Sequence, residues 1–122
     1  MVCIKYYKIP ETDRDFREAS QQVIYEIRDV LAAAMGIVRN AQSLQEAKEN
    51  LEQLAERDGL NEREKNRIYL AQAIVISAMS RKESRGAHYR EAYPTGNETF
   101  LGTTQAELER DADNHIQITC RV

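Results

Sequence analysis

The sequence predicts an all-α protein, a three-helix antiparallel bundle with short extended segments at its ends that can pair as a small two-stranded ladder. Three observations carry this. Apolar residues recur every three or four positions along three stretches, at about 13–39, 43–58 and 62–84. Capping-type patterns open each stretch: Thr12-x-x-Asp15, Ser43-x-x-Glu46 and Asn61-x-x-Glu64. The connections are short enough to force antiparallel neighbours. With 122 residues, the chain suits one domain, 1–122, with a modest core.

The N-terminal VCIKYYKI is rich in β-branched and aromatic residues and stops at Pro10, which reads as a short strand or extended lead-in. In the first helix, Phe16, Ala19, Val23, Ile27, Val30, Ala34 and Val38 form one stripe, widened by Ile24, Leu31 and Met35, with Asn40 as a stop. The second helix is narrower. Leu44, Ala47, Leu51 and Leu54 share one face, while Gln45, Lys48, Glu49, Gln53 and Glu56 leave the other wet. Asp58-Gly59 closes it, the glycine supplying a left-handed residue.

The third helix opens on Asn61 and changes character at Ile68, from which apolar residues run almost all the way round to Met79. A helix apolar on every side is buried on every side. Two neighbours cannot cover it, so two readings fit equally. Either the terminal segments fold over it, or it waits for a partner surface. After a loop at Thr95-Gly96-Asn97, Thr104-x-x-Glu107 predicts a short helix at about 104–110. Alternating Ile116, Ile118, Cys120 and Val122 predict a strand at about 115–121.

Composition excludes several classes. A net charge of −3 argues against a general nucleic-acid binder, and no apolar run approaches a membrane span or a secretory signal. A cytoplasmic protein, membrane-peripheral at most as part of a complex, is expected. Cys3 and Cys120 stand at opposite ends as free thiols, without ligand-spaced companions for a metal. No glycine pattern fits a dinucleotide fingerprint or a P-loop.

The densest chemistry lies at 80–94, SRKESRGAHYREAYP, directly after the apolar helix. His88, among Arg85, Arg90, Glu83 and Glu91, suggests a general acid–base, but a histidine in an arginine-rich bend more often holds the bend together. Residues 81–93 sum to +2, yet the charges alternate in sign, which fits an internally paired network better than a phosphate track. Arg and Tyr favour interfaces, Gly86 allows close backbone approach and Pro94 fixes the exit. The stretch therefore reads as a docking bend built by Arg81, Glu83, Arg85, Gly86, His88, Arg90 and Tyr93, with no catalytic, cofactor-binding or metal residue assigned.

The run RKESRGAHYR closed by Tyr93-Pro94 resembles a signature near the end of the flavoprotein subunits of succinate dehydrogenases and fumarate reductases, shared by L-aspartate oxidases. The segments Met35-Gly36-Ile37-Val38-Arg39, 44–54 and 116–122 resemble parts of the same C-terminal region, so the likeness runs from about Arg17 onward. It implies a spectrin-repeat-like three-helix domain that binds no cofactor alone and packs against the flavin-binding domain of the same or a companion chain, with FAD and dicarboxylate chemistry located there. One position departs from the family, which usually has an acidic residue before the aromatic-Pro where this chain has Ala92. Arg85 or Arg90 must then find another carboxylate, Glu83 or Glu91. The alternative is an independent interaction module that dimerises through its third helix.

Overall fold

The computed structural model describes residues 2–5, 17–113 and 115–122. The expected cap at Thr12–Asp15, the stripe residue Phe16 and the end of the N-terminal lead-in lie outside them. Among the described residues there are three α-helices, α1 (Gln21–Ala34), α2 (Ala41–Ala55) and α3 (Glu62–Ser80), and one 3-10 turn at Glu98–Phe100. Three short strands accompany them: β1 (Val2–Lys5), β2 (Thr104–Arg110) and β3 (Ile116–Arg121). A helical bundle with short strand segments is the expected class. No helix among the described residues is long and apolar enough to cross a membrane.

All three helices are shorter than the periodicity implied, each for a local reason. Residues 17–20 are not helical, and Ser20 caps α1 by accepting from the Val23 N–H at 3.3 Å. α1 ends at Ala34 with Met35 as its C-cap, before the helix-weakening Gly36. Arg39 then leaves the helix to pair with the bend, its N–H donating to the Tyr89 carbonyl while its carbonyl accepts from Glu91 N–H. Asn40 is the start of α2 rather than only a stop: its side chain accepts from the Ser43 N–H at 2.8 Å. α2 ends at Ala55 and Gly59 takes the left-handed φ of 81°. Asn61 and Glu64 form the expected capping box of α3, and Glu64 also accepts from the Ser20 hydroxyl at 2.9 Å, joining the starts of α1 and α3. α3 ends at Ser80 rather than 84, since Arg81 is extended.

The expected short helix at 104–110 is β2. Its alternation of buried Thr104, Ala106 and Leu108 follows strand period, and pairing with two neighbours overrides the helix-favouring composition of TQAELER. The sheet therefore has three strands in the order β1-β2-β3, β1 parallel to β2 and β3 antiparallel to it. The two terminal segments share a sheet without touching each other. In the register of the sheet, Cys3 aligns with Gln105 of β2, and Cys120 of β3 with Ala106. At the β2–β3 turn, Asp111 Oδ1 accepts from the N–H groups of Asp113 and His115, each at 2.9 Å.

α3 is the centre of the molecule. It packs on α1 and α2 through Val23, Ile27, Leu44, Leu51, Ile68 and Val75, and it contacts all three strands on its other side. Ser77 Oγ, for example, lies 3.5 Å from Cys120 Sγ. Of the two readings of its all-round apolar surface, strands do fold over the side that α1 and α2 leave. What they leave open is the seam toward α1, where Leu70 remains 40% exposed.

Candidate functional site

The bend at 81–97 is built around one carboxylate. Glu83 is fully buried and accepts from Arg85 Nε (3.1 Å) and Nη2 (2.9 Å), from the Asn97 N–H (2.8 Å) and from Arg81 Nη1. Two guanidinium groups and a backbone N–H leave the anion fully satisfied, as burial of a charge requires. The hydrogen bonds from Arg85 foremost, aided by the Asn97 N–H and Arg81, hold the Glu83 carboxyl down to about 2 against the opposing effect of burial. Arg81 is itself spent: its Nε donates to Thr104 Oγ1 at 3.0 Å, Nη1 also to the Phe100 carbonyl at 2.8 Å, and Nη2 to the Gly102 carbonyl. One side chain thus ties the end of α3 to the start of β2.

The carboxylate expected to stand in for the one missing at Ala92 is Glu83, and it serves Arg85; among the described residues Arg90 finds none. Its guanidinium lies buried under α3, where Nη1 donates to the Ala78 and Met79 carbonyls at 3.0 Å each. These belong to the last turn of the helix, whose carbonyls lack intrahelical partners, and a cation there also interacts favourably with the negative end of the helix dipole. The same group sits 5.4 Å over the Tyr93 ring, while its Nε is buried without a partner. Ser84 closes the inside of the bend, accepting from Arg90 N–H at 3.0 Å and donating to the Tyr93 carbonyl at 2.7 Å.

The protonation of His88 follows from its neighbours. A carbonyl only accepts, so Nε2 carries the hydrogen donated to the Arg81 carbonyl at 3.0 Å. A guanidinium only donates, so Nδ1 is bare and receives Arg39 Nη1 at 2.9 Å. The imidazole is neutral and both nitrogens are engaged. Burial first, then the nearby charges of Arg39, Arg90 and Arg81, push its pKa below the ordinary value. A general acid–base needs a nitrogen within reach of substrate. This one is instead a strut between α1's exit and α3's end.

Gly86 also differs from its expected use. Arg85 and His88 exchange backbone hydrogen bonds across a two-residue turn, and Gly86 takes φ 59° there. A Cβ at this position would meet nothing within 4 Å, so handedness rather than close approach calls for glycine. The close approach is at Gly96, whose Cβ would stand 3.3 Å from Arg85 Nη2.

The structure thus brings together Arg81, Glu83, Arg85, Gly86, His88, Arg90 and Tyr93 in one turn-rich knot. Sequence reasoning missed Arg39, Ser84, Gly96, Asn97 and Thr104 as members. Asn97 and Thr104 contribute through a backbone N–H and a lone hydroxyl, which leave no pattern. Arg39 is distant in sequence.

A concavity of 340 Å³ opens beside the knot, lined by Met35, Ile74 and Ala78 and by Arg39, Arg81, Arg85 and His88. Among the described residues that line it there is no carboxylate.

Residues 63–121 match the family model for the fumarate reductase flavoprotein C-terminus. The chain is 39% identical over 75 residues to an L-aspartate oxidase of Pyrococcus furiosus, covering 62% of this chain and 15% of that protein. It is 43% identical over 74 residues to an L-aspartate oxidase of Pyrococcus horikoshii, covering 61% of this chain and 14% of that protein. Among solved structures, the FrdA chain of a point mutant of E. coli quinol fumarate reductase superposes with a TM-score of 0.60 at 25% identity, covering 88% of this chain and 21% of that one. The chain therefore spans about a seventh of the length of the curated relatives it matches.

Proposed function

We propose, for a chain whose residues 63–121 match the fumarate reductase flavoprotein C-terminal family, that it is the non-catalytic helical domain of an FAD-dependent oxidoreductase and packs against the flavin-binding portion. The dicarboxylate chemistry belongs to that portion. The observation that carries this reading is the state of the bend. The charges of Glu83, Arg81 and Arg85 are spent on one another or on backbone within the chain, Arg90 is spent on backbone, and both His88 nitrogens are engaged. Such a knot fixes the end of α3 and shapes a surface, and offers no free acid, base or nucleophile. FAD is implied for the whole protein and has no cradle here, since none of the glycines forms a phosphate-binding turn at a helix start.

Domain replacement tests this. The chain is fused in place of the matching last segment of the Pyrococcus furiosus L-aspartate oxidase, and retained flavin is measured by absorbance after gel filtration. Retention comparable to the parent enzyme, weakened by Arg85→Ala, supports docking. A fusion that folds but loses its flavin as readily as the truncated enzyme contradicts it. The competing dimer module predicts instead a stable dimer by light scattering and no effect of fusion on flavin.

A further inference from the structure

Two concavities meet at Ile74. One is the 340 Å³ space beside the bend; the other, of 210 Å³, lies between α1 and α3. Together they form a groove along the seam that the strands leave open, floored by Ile24, Leu31, Leu70, Ile74 and Met35. Its charges are of one sign. Arg28 and Arg67 line one end and Arg39 the other, and among the described residues no carboxylate lines either concavity. Among the described residues, none of these three arginines has a carboxylate within ion-pair distance, whereas Arg57, Arg81, Arg85 and Arg121 do. Arg39 spends Nε on the Gly36 carbonyl and Nη1 on neutral His88, which leaves its charge uncompensated. The protein as a whole is acidic, at −3, so this basic rim runs against the average.

We infer that this α1/α3 groove is the docking surface for an acidic segment with an apolar ridge, contributed by the part of the flavoprotein that lies outside these residues. The inference deepens the proposed docking by naming its face and its chemistry, and it rests on that reading. Apolar floor plus one-signed rim selects carboxylates flanking apolar side chains, the helix-in-groove mode. The α2 face of a second copy does not supply such a ridge. The acidic face of α2 carries Glu46, Glu49, Glu52 and Glu56, but its leucines Leu44, Leu51 and Leu54 are all buried inward, so it offers charge without a ridge. Four-fifths of the matched FrdA chain lies beyond the region shared with this one, which leaves ample sequence to supply the occupant.

The test uses the purified chain and two labelled synthetic amphipathic peptides, identical but for their flanking charges, one with leucines and glutamates and the other with leucines and lysines. Fluorescence anisotropy is expected to show saturable, salt-sensitive binding of the glutamate peptide only. Arg28→Gln/Arg67→Gln, which disturbs no hydrogen bond of the bend, is expected to weaken it about tenfold, and Ile74→Glu to abolish it. Equal binding of the lysine peptide, no saturable binding of the glutamate peptide, or affinity unchanged in the double variant overturns the inference. So does sedimentation showing a dimer that Ile74→Glu dissociates, since the occupant would then be a second copy. Flavin retention by the fusion protein is read separately, so the docking reading can survive the loss of this groove.

Discussion

The bend and the groove share arginine as their main polar residue and use it in opposite ways. In the bend, Arg81 and Arg90 are 9% and 3% exposed, and their donors go to a carboxylate, a hydroxyl and backbone carbonyls of the same chain. In the groove, Arg28 and Arg67 are exposed on an apolar seam with no carboxylate among the described residues that line it. Residue type does not separate scaffold from recognition surface; the accounting of donors does. A guanidinium that has spent its donors internally fixes geometry, and one that has not is available to something else.

The largest expected effect is Arg81→Ala. It removes one of the two cations on buried Glu83 and unties Thr104, Phe100 and Gly102, so equilibrium urea unfolding is expected to show a loss of about 3–5 kcal/mol. A loss under 1 kcal/mol would place the bend with the groove, as dispensable charge. Arg90→Met comes next. It keeps the packing but strands the Ala78 and Met79 carbonyls, for about 1–3 kcal/mol by the same assay. Gly86→Ala forces a Cβ into φ 59° at a cost of about 1–2 kcal/mol, read as a lowered melting temperature.

The pH dependence sharpens the same contrast. His88 has a folded pKa below its ordinary 6.5, so the unfolded chain takes up a proton that the folded chain refuses. Stability is expected to fall as pH drops below about 6.5, and His88→Gln should flatten that part of the curve. Glu83 titrates in the folded state at about 2 rather than 4.5, so its contribution is whole above 4.5 and is lost as pH falls toward 2. Glu64 and Asp111, also held low, add to the same acid limb. The smallest effect belongs to the groove: Arg28→Gln/Arg67→Gln should change the stability of the isolated chain by no more than about 0.5 kcal/mol, while altering what binds to it.

The helices were legible because their apolar period is long and local, and the capping box of Asn61 and Glu64 is written in four residues. Their ends were less so. Val38 continues the α1 stripe by spacing, yet it stands 55% exposed, because Arg39 pairs with the bend some fifty residues away. Thr104-x-x-Glu107 imitates a cap, while the alternation of Thr104, Ala106 and Leu108 that makes it a strand pays off only against α3 and β3. In the bend, the charged members were readable and their pairing was not. Glu83 is set by Asn97 and two arginines, and Arg90 by the end of the preceding helix.

We propose that the charge-dense bend is a scaffold and that flavin chemistry belongs to a portion outside these residues. Titrating FAD into the purified chain, and assaying it with succinate, fumarate and L-aspartate, tests that directly. The expected result is no flavin bound after gel filtration and no turnover. Stoichiometric flavin binding, or a turnover abolished by His88→Ala in a chain that still folds, would contradict it.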